Sequence, residues 1–127
     1  RRRILAVRHG ESEWNVLRRA HPSEDERYHP RMHTVDCSVT ALGKYQGKEA
    51  GVALAKEVTS VDLMLISPLR RALQTASCIL ESFPSAPRVQ IYKDATEIML
   101  DPCDIGSPPI ALAAEFPDWD FSNLEDC

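Results

Sequence analysis

The fold is decided by the stretch Ile4-Leu5-Ala6-Val7-Arg8-His9-Gly10-Glu11-Ser12, in which a short apolar run leads directly into Arg-His-Gly. The apolar run predicts a buried strand over residues 4–7, with His9 two residues beyond its C-terminal end. A neutral imidazole nitrogen is a good nucleophile toward phosphorus, and Arg8 offers a planar fork of N–H donors that suits phosphate. Gly10 lets the backbone approach an anion closely. These three residues support a phosphoryl-accepting histidine and an ordinary hydrogen-bonded histidine about equally.

The next residues extend the pattern to Arg-His-Gly-Glu-Ser-x-Trp-Asn, ending at Asn15. This longer pattern resembles the signature of the histidine phosphatase superfamily, also called the phosphoglycerate-mutase-like family. The resemblance implies that His9 is transiently phosphorylated and that the amide of Asn15 contacts the phosphate. The alternative for Asn15 is a turn-forming or helix-capping side chain. We expect Trp14 to pack rather than to take part in the chemistry.

A long amphipathic helix is predicted over residues 41–57, with Thr40 as its N-cap. Residues at spacings of three and four form one face of it: Leu42, Tyr45, Gln46, Ala50, Ala53 and Leu54. The string from Val39 to Gly47 is also similar to the family's Leu-Thr-x-x-Gly-x-x-Gln-Ala element. Glycines recur every fourth residue at Gly43, Gly47 and Gly51. This spacing predicts close backbone packing rather than ligand binding.

A second motif follows the apolar run Leu63-Met64-Leu65-Ile66, which is short enough for a buried parallel strand. Ser67 is predicted to cap the next helix, with Pro68 at its first position. The string from Ser67 to Ala76 resembles the superfamily's Ser-x-Leu-x-Arg-Ala-x-x-Thr-Ala motif. The resemblance makes Arg71 the phosphate-binding arginine, in a first helical turn whose free amides favour anions. We expect Arg70 to face solvent or another part of the site.

A third strand is predicted over residues 89–92, and Glu97 follows it. The family keeps a glutamate after the corresponding strand as proton donor to the leaving group, and Glu97 matches that position best. A carboxyl group suits this role because it can protonate an alkoxide and later accept a proton from water. The alternative for Glu97 is a plain surface role, and the rival carboxylates are Asp94, Asp101 and Asp104.

Three further stretches carry weaker signals. Residues 16–39 are polar and predict a long surface loop in which His21, His29 and His33 are solvated. Residues 109–116 predict a short helix. The tail beyond it carries Trp119, Phe121 and Leu124, which we expect to pack onto something the chain does not contain.

One departure from the family concerns its second active-site histidine, which lies near the C-terminal end of the domain. No histidine follows His33 here, so the resemblance covers the N-terminal half to two-thirds of the family domain. Three explanations are open: part of a longer protein, a short relative that has lost the segment, or a catalytically degenerate domain. We expect the first, because the chain begins without Met and ends without a stop pattern.

Composition limits the class of protein. The 127 residues, 43% of them hydrophobic, can bury one core. A formal charge of −4 gives no electrostatic case for nucleic acid or an anionic membrane, and no apolar run is long enough to cross a bilayer. The cysteines are widely spaced and lack zinc-ligand spacing, which favours free thiols in a cytoplasmic protein: Cys37, Cys78, Cys103 and Cys127.

The sequence thus predicts one domain over residues 1–127, the N-terminal portion of a three-layer, phosphoglycerate-mutase-like α/β fold with helices flanking a mainly parallel sheet. The resemblance implies phosphoric-ester hydrolysis on a phosphorylated small molecule or phosphoprotein. His9 would be the nucleophile, Glu97 the acid and then the base, and Arg8, Asn15 and Arg71 the phosphate ligands. No metal or organic cofactor is expected, because arginines stabilise the charge.

Two alternatives remain open at this point. The first is a phosphoglycerate-type phosphomutase, which the Glu-Ser-x-Trp-Asn extension favours. The stretch after Asn15 shows no close match to the mutase substrate loop, which usually carries Gly-Trp followed by Asp. The second is a phosphate-binding or interaction domain without turnover, which the missing histidine favours.

Overall fold

The computed structural model describes residues 2–23 and 35–124. In chain order the elements are α1 (Glu13–Ala20), α2 (Ala41–Glu57), β1 (Leu63–Ile66), α3 (Arg70–Leu80), β2 (Arg88–Ile91) and α4 (Pro109–Glu115), with 3-10 turns at Lys93–Ala95 and Pro102–Asp104. The strands β1 and β2 pair in parallel, with Ile66 opposite Ile91, and α3 connects them. The predicted α/β class with a parallel sheet is confirmed. The ends of β2 lie within one residue of the strand predicted over residues 89–92, and the ends of α4 lie within one residue of the helix predicted over residues 109–116.

The larger hydrophobic core lies between the sheet, α3, α4 and the tail. Its buried members are Ile66, Leu73, Ala76, Ile91, Leu112 and Phe121. The apolar stripe of α3 supplies two of these residues, as its spacing requires, and each strand supplies one. Among the helices of the described ranges, none is both long and apolar enough to cross a membrane.

The glycines of α2 mark the surface on which other backbone packs. A Cβ atom at Gly51 would lie 2.6 Å from the Ile79 carbonyl oxygen, and one at Gly47 would lie 2.9 Å from Cys78 Cβ. A Cβ atom at Gly43 would lie 2.1 Å from the Glu11 carbonyl oxygen. The predicted close packing is therefore confirmed. It places α2 against α3 and its first turn against the loop that contains His9.

The first predicted strand does not form. Residues 4–7 pair with no strand in the described ranges, and their side chains are exposed, with Ile4 at 91%. An apolar run is stabilised as a buried strand only where a sheet edge and packed side chains cover it. Within the described residues, neither a sheet edge nor packed side chains cover residues 4–7. The prediction of a strand there is therefore wrong.

The segment after Ser12 begins as a helix rather than as a loop. The Asn15 backbone N–H donates to Ser12 Oγ at 3.3 Å, and the Ser12 backbone N–H donates to Asn15 Oδ1 at 3.0 Å. This reciprocal capping begins α1. The expected surface loop is therefore wrong for residues 16–20, whereas His29 and His33 lie outside the described residues.

The start of α3 and the tail also differ from the expectation. Ser67 does not cap α3, which begins at Arg70; instead the Arg70 backbone N–H donates to Asp36 Oδ1 at 2.8 Å. The tail folds back onto the chain's own core, where Phe121 is buried and Trp119 stacks on Phe116 with ring centroids 5.4 Å apart. The expectation of an absent packing partner for the tail is therefore wrong. Both features depend on contacts between residues far apart in sequence.

Candidate functional site

The loop of residues 8–12 is held by hydrogen bonds from the two central helices. The Gly10 backbone N–H donates to Thr75 Oγ1 of α3 at 3.0 Å, and the Glu11 N–H donates to Gln46 Oε1 of α2 at 2.8 Å. The Thr40 N–H donates to the Glu11 carbonyl at 2.8 Å, and the Thr40 hydroxyl donates to the Glu11 carboxylate, also at 2.8 Å. The three sequence motifs therefore meet at one place. Their polar side chains orient the backbone beside His9.

The His9 ring is half-buried and has a defined orientation. Its Nδ1 lies 2.7 Å from the Gly10 carbonyl oxygen. Because a carbonyl only accepts, Nδ1 carries the proton and Nε2 keeps its lone pair. Burial lowers the pKa of His9 below its ordinary value of 6.5, the Gly10 hydrogen bond opposes that shift, and the cations Arg71 and Arg8 add to it. His9 is thus a neutral imidazole near pH 7.

Arg71 is buried beside His9, with only 3% of its surface exposed. Its Nη1 donates to the Cys103 carbonyl at 2.6 Å, and its Nη2 donates to Asp104 Oδ1 at 3.0 Å. Glu97 Oε2 lies 3.6 Å from the same Nη2. These acceptors fix the plane of the guanidinium, because its donors form a rigid fork.

The two carboxylates next to Arg71 differ in their surroundings. Burial raises the pKa of the Asp104 carboxyl, but hydrogen bonds from the backbone of Asp101 and Leu100 and from Arg71 hold it below its ordinary value. Asp104 is thus an ionised partner for Arg71. The Glu97 side chain is 62% exposed and therefore in contact with solvent. Of the two, Glu97 is the better placed to act as a proton donor.

An open cleft of about 460 Å³ lies beside His9 and is rich in arginine. Arg8 and Asn15 border it together with Arg18 and Arg19 of α1. Arg19 also forms an ion pair with Glu11. The sequence reasoning missed Arg18 and Arg19, although they follow Asn15 by a single helical turn. The resulting positive potential favours an anionic ligand.

Arg70 is partly exposed, with 24% of its side chain accessible, and its polar contacts are with residues outside the candidate site. Its Nε donates to Glu115 Oε2 at 2.8 Å, and its Nη1 donates to the Asp36 carbonyl at 3.0 Å. It therefore ties α3 to α4 and to the segment before α2. No local pattern in the sequence indicates either partner.

The structure brings four of the five predicted site residues into electrostatic contact, since Arg8, Arg71 and Glu97 all shift the pKa of His9. The fifth, Asn15, shares the cleft with His9. The sequence identifies Asp104 only as a rival of Glu97 for the role of the acid, and it does not predict the ion pair between Asp104 and Arg71. Asp101, Cys103 and Asp104 place potential metal-binding atoms within 4.8 Å of one another, but Arg71 already neutralises Asp104. We therefore assign no metal site there.

Comparison with known proteins identifies a family and several relatives. A family model for the histidine phosphatase superfamily (branch 1) matches residues 4–126. A 2,3-bisphosphoglycerate-dependent phosphoglycerate mutase of Nocardia farcinica is 36% identical over 81 residues, which are 62% of this chain and 28% of the mutase. A mutase of the same description from Bartonella bacilliformis is 32% identical over 97 residues, which are 75% of this chain and 40% of that protein.

A solved structure gives the same result for the fold. It is a chain from Escherichia coli assigned as an alpha-ribazole-5'-P phosphatase, similar to this one with a TM-score of 0.53 and 26% identity. The match covers 88% of this chain and 48% of that one. The chain thus spans less than half the length of each of these relatives. Because the family model covers nearly all of its residues, the chain belongs to the histidine phosphatase superfamily (branch 1).

Proposed function

We propose that this chain supplies the nucleophilic part of a site that hydrolyses phosphoric esters through a phosphohistidine at His9. The observation that carries the proposal is the hydrogen bond between His9 Nδ1 and the Gly10 carbonyl, 2.7 Å long, on a ring whose pKa is lowered. This arrangement presents a neutral Nε2 lone pair, which is the form that attacks phosphorus.

The proposed reaction has two steps. In the first, Nε2 of His9 bonds to phosphorus, the bond from phosphorus to the ester oxygen breaks, and Glu97 protonates the departing alkoxide. In the second, Glu97 accepts a proton from water, the water oxygen bonds to phosphorus, and the bond from phosphorus to Nε2 breaks. A carboxyl group suits both roles, since it returns to its starting state after each turnover.

Charge on the transferring phosphoryl group is stabilised by Arg8, Arg71 and the Asn15 amide in this proposal. Buried, preorganised cations stabilise such charge more strongly than solvent-exposed ones do. The Asp104 carboxylate and the Cys103 carbonyl hold Arg71 in place before substrate binds. In this account the arginines provide the electrostatic stabilisation.

The substrate class is proposed as a phosphorylated small molecule or phosphoprotein, acted on in the cytoplasm. The arginines that border the cleft support an anionic ligand. The activity belongs to the whole protein, because the chain spans only 28% and 40% of the two mutases and 48% of the phosphatase structure.

A phosphomutase is the second candidate. The similarity to phosphoglycerate mutases over 81 and 97 residues favours it, as does the Glu-Ser-x-Trp-Asn extension. The first step would be unchanged, but in the second step the phosphoryl group would pass to a substrate hydroxyl instead of to water.

Single-turnover labelling with a radiolabelled phosphate ester tests the proposal. The longest natural form of the protein should acquire an acid-labile label, and His9→Ala should abolish it. A matched control is His21→Gln, which changes another histidine of the described chain and should label normally. Undiminished labelling of His9→Ala would remove the covalent mechanism. Tight phosphate binding without any label would favour a binding domain instead.

The fate of the label separates hydrolase from mutase. A hydrolase releases it as inorganic phosphate in water alone. A mutase retains it until a hydroxyl acceptor such as a phosphoglycerate is added, and then transfers it to that acceptor.

A further inference from the structure

Two of the cysteines lie against each other beside the candidate site. Cys37 precedes α2, Cys103 lies in the 3-10 turn Pro102–Asp104, and both are buried in a small cluster with Trp14. Their thiols are hydrogen-bond partners. We call Cys37 and Cys103 the thiol pair. Cys78, also buried, lies instead where α3 packs on Gly47 of α2.

The surroundings of the thiol pair favour charge on Cys37. The backbone N–H of Trp14 donates to the Cys37 sulfur from the N-terminus of α1, and the Cys103 thiol and the Ser12 hydroxyl are its side-chain hydrogen-bond partners. The same two groups also have oxygen acceptors, since the Ser12 hydroxyl donates to Asn15 Oδ1 at 3.0 Å and the Cys103 thiol to Asp104 Oδ1 at 3.6 Å. Burial opposes ionisation, but the hydrogen bonds to Cys37 and the nearby Arg71 lower the pKa of Cys37 to about 6. Free N–H groups at a helix N-terminus are a known source of reactive thiolates.

Cys103 has the opposite character. Its hydrogen bond to the Cys37 sulfur, burial and the neighbouring Asp104 carboxylate all raise the pKa of the Cys103 thiol. The pair therefore combines a thiol that ionises more readily than usual with one that ionises less readily. This is the division between an attacking and a resolving cysteine.

The thiol pair is also joined to the phosphate-binding arginine. Arg71 donates to the backbone carbonyl of Cys103 and to the side chain of the next residue, Asp104. A disulfide brings two sulfurs from contact to about 2.05 Å. Because the Cys103 carbonyl and Asp104 lie in the same 3-10 turn as the Cys103 sulfur, we expect that bond to shift both acceptors of Arg71.

We propose that the thiol pair is a peroxide-sensitive modification site, at which an intramolecular Cys37–Cys103 disulfide displaces the acceptors of Arg71 and so lowers phosphoryl transfer to His9. The effect on transfer rests on the proposed function, whereas disulfide formation does not. Both sulfurs are buried, so the oxidant is hydrogen peroxide, a molecule close to water in size.

The reaction is balanced in two steps. The Cys37 thiolate attacks one peroxide oxygen, an S–O bond forms, the O–O bond breaks, and the departing hydroxide takes a proton to become water. The Cys103 thiol then loses its proton and its sulfur attacks the Cys37 sulfur. The S–S bond forms, the S–O bond breaks, and a second water leaves. Peroxide is reduced by two electrons, and two thiols are oxidised to one disulfide.

The disulfide is tested by mass spectrometry on the whole protein. After brief treatment with hydrogen peroxide and alkylation under denaturing conditions, the digest should contain a peptide pair linked through Cys37 and Cys103. Cys78 serves as an internal control, because burial raises the pKa of its thiol, and it should be recovered alkylated. Absence of the linked pair, or oxidation of Cys78 at the same rate as Cys37, would overturn the proposal.

The effect on the site is tested by labelling His9 before and after oxidation. We expect oxidation to reduce the labelling rate at least about tenfold, because displacements near 1 Å cost that much or more in positioned sites. Dithiothreitol should restore the rate. The ratio of oxidised to reduced rates should approach one in Cys103→Ser and remain low in Cys78→Ser.

The outcomes distinguish the two proposals. A linked peptide pair with an unchanged labelling rate would show that the disulfide forms but does not act through Arg71. That result would overturn the proposed effect on phosphoryl transfer and would leave the proposed function at His9 standing. A linked pair in a protein that never labels would overturn the proposed function and leave the modification site standing.

Discussion

Arg70 and Arg71 begin the same helix and have identical side chains, yet they serve two different regions of the molecule. Arg70 joins α3 to Glu115 and to the Asp36 carbonyl, whereas Arg71 is buried beside His9 with Asp104. Successive helical residues point about 100° apart. This phase difference separates a residue that assembles the fold from one that shapes the candidate site.

Replacing Arg71 should have the largest effect. Removing a preorganised donor to developing charge costs about 3–4 kcal/mol, so Arg71→Ala should lower the labelling rate of His9 by about two to three decades. The variant also leaves the buried Asp104 carboxylate unpaired, which should cost about 3–5 kcal/mol of unfolding free energy. Single-turnover labelling and urea unfolding measure the two losses.

A double variant separates those losses. Arg71→Ala with Asp104→Ala removes the unpaired charge, so stability should recover in part while labelling stays low. Recovery of labelling along with stability would mean that Arg71 acts on folding alone.

Replacing Arg70 should have the opposite profile. Arg70→Ala removes hydrogen bonds that are partly exposed, and we expect a loss of about 1–2 kcal/mol in unfolding free energy. The labelling rate per folded molecule should stay near that of the unaltered protein. Equal loss of labelling in Arg70→Ala and Arg71→Ala would show that the two arginines are not functionally distinct.

The smallest expected difference is in the titration of His9. Burial, Arg71 and Arg8 lower its pKa below 6.5, and the Gly10 carbonyl and Glu97 oppose the shift. Removing a neighbouring cation stabilises the imidazolium, so Arg71→Gln should raise the pKa of His9. The acid limb of the labelling rate should move to higher pH with it. Arg70→Ala should leave the titration curve, followed by NMR, where it was; a shift in that variant alone would contradict the account.

Local signals in the sequence predicted much of the fold and most of the candidate site. The helix after Thr40, the parallel strand at Leu63–Ile66 and the placement of Arg71 near His9 all follow from short-range patterns and motifs. The apolar face predicted for that helix is wrong, because Leu42 and Tyr45 are exposed and the helix packs through its glycines instead. Residues 4–7 failed as a strand because burial, not apolar character, stabilises one. The cap from Asp36 and the partnership of Arg71 with Asp104 join residues that are distant in sequence, and no periodicity reports such contacts.

The central claim is that His9 attacks through Nε2, because Nδ1 is held by the Gly10 carbonyl. The most direct test is to trap the phosphorylated protein, confirm by peptide mapping that the group lies on His9, and determine by phosphorus–nitrogen NMR which ring nitrogen bears it. The account predicts phosphorus bonded to Nε2 of His9. Phosphorus on Nδ1, or on any residue other than His9, would contradict it.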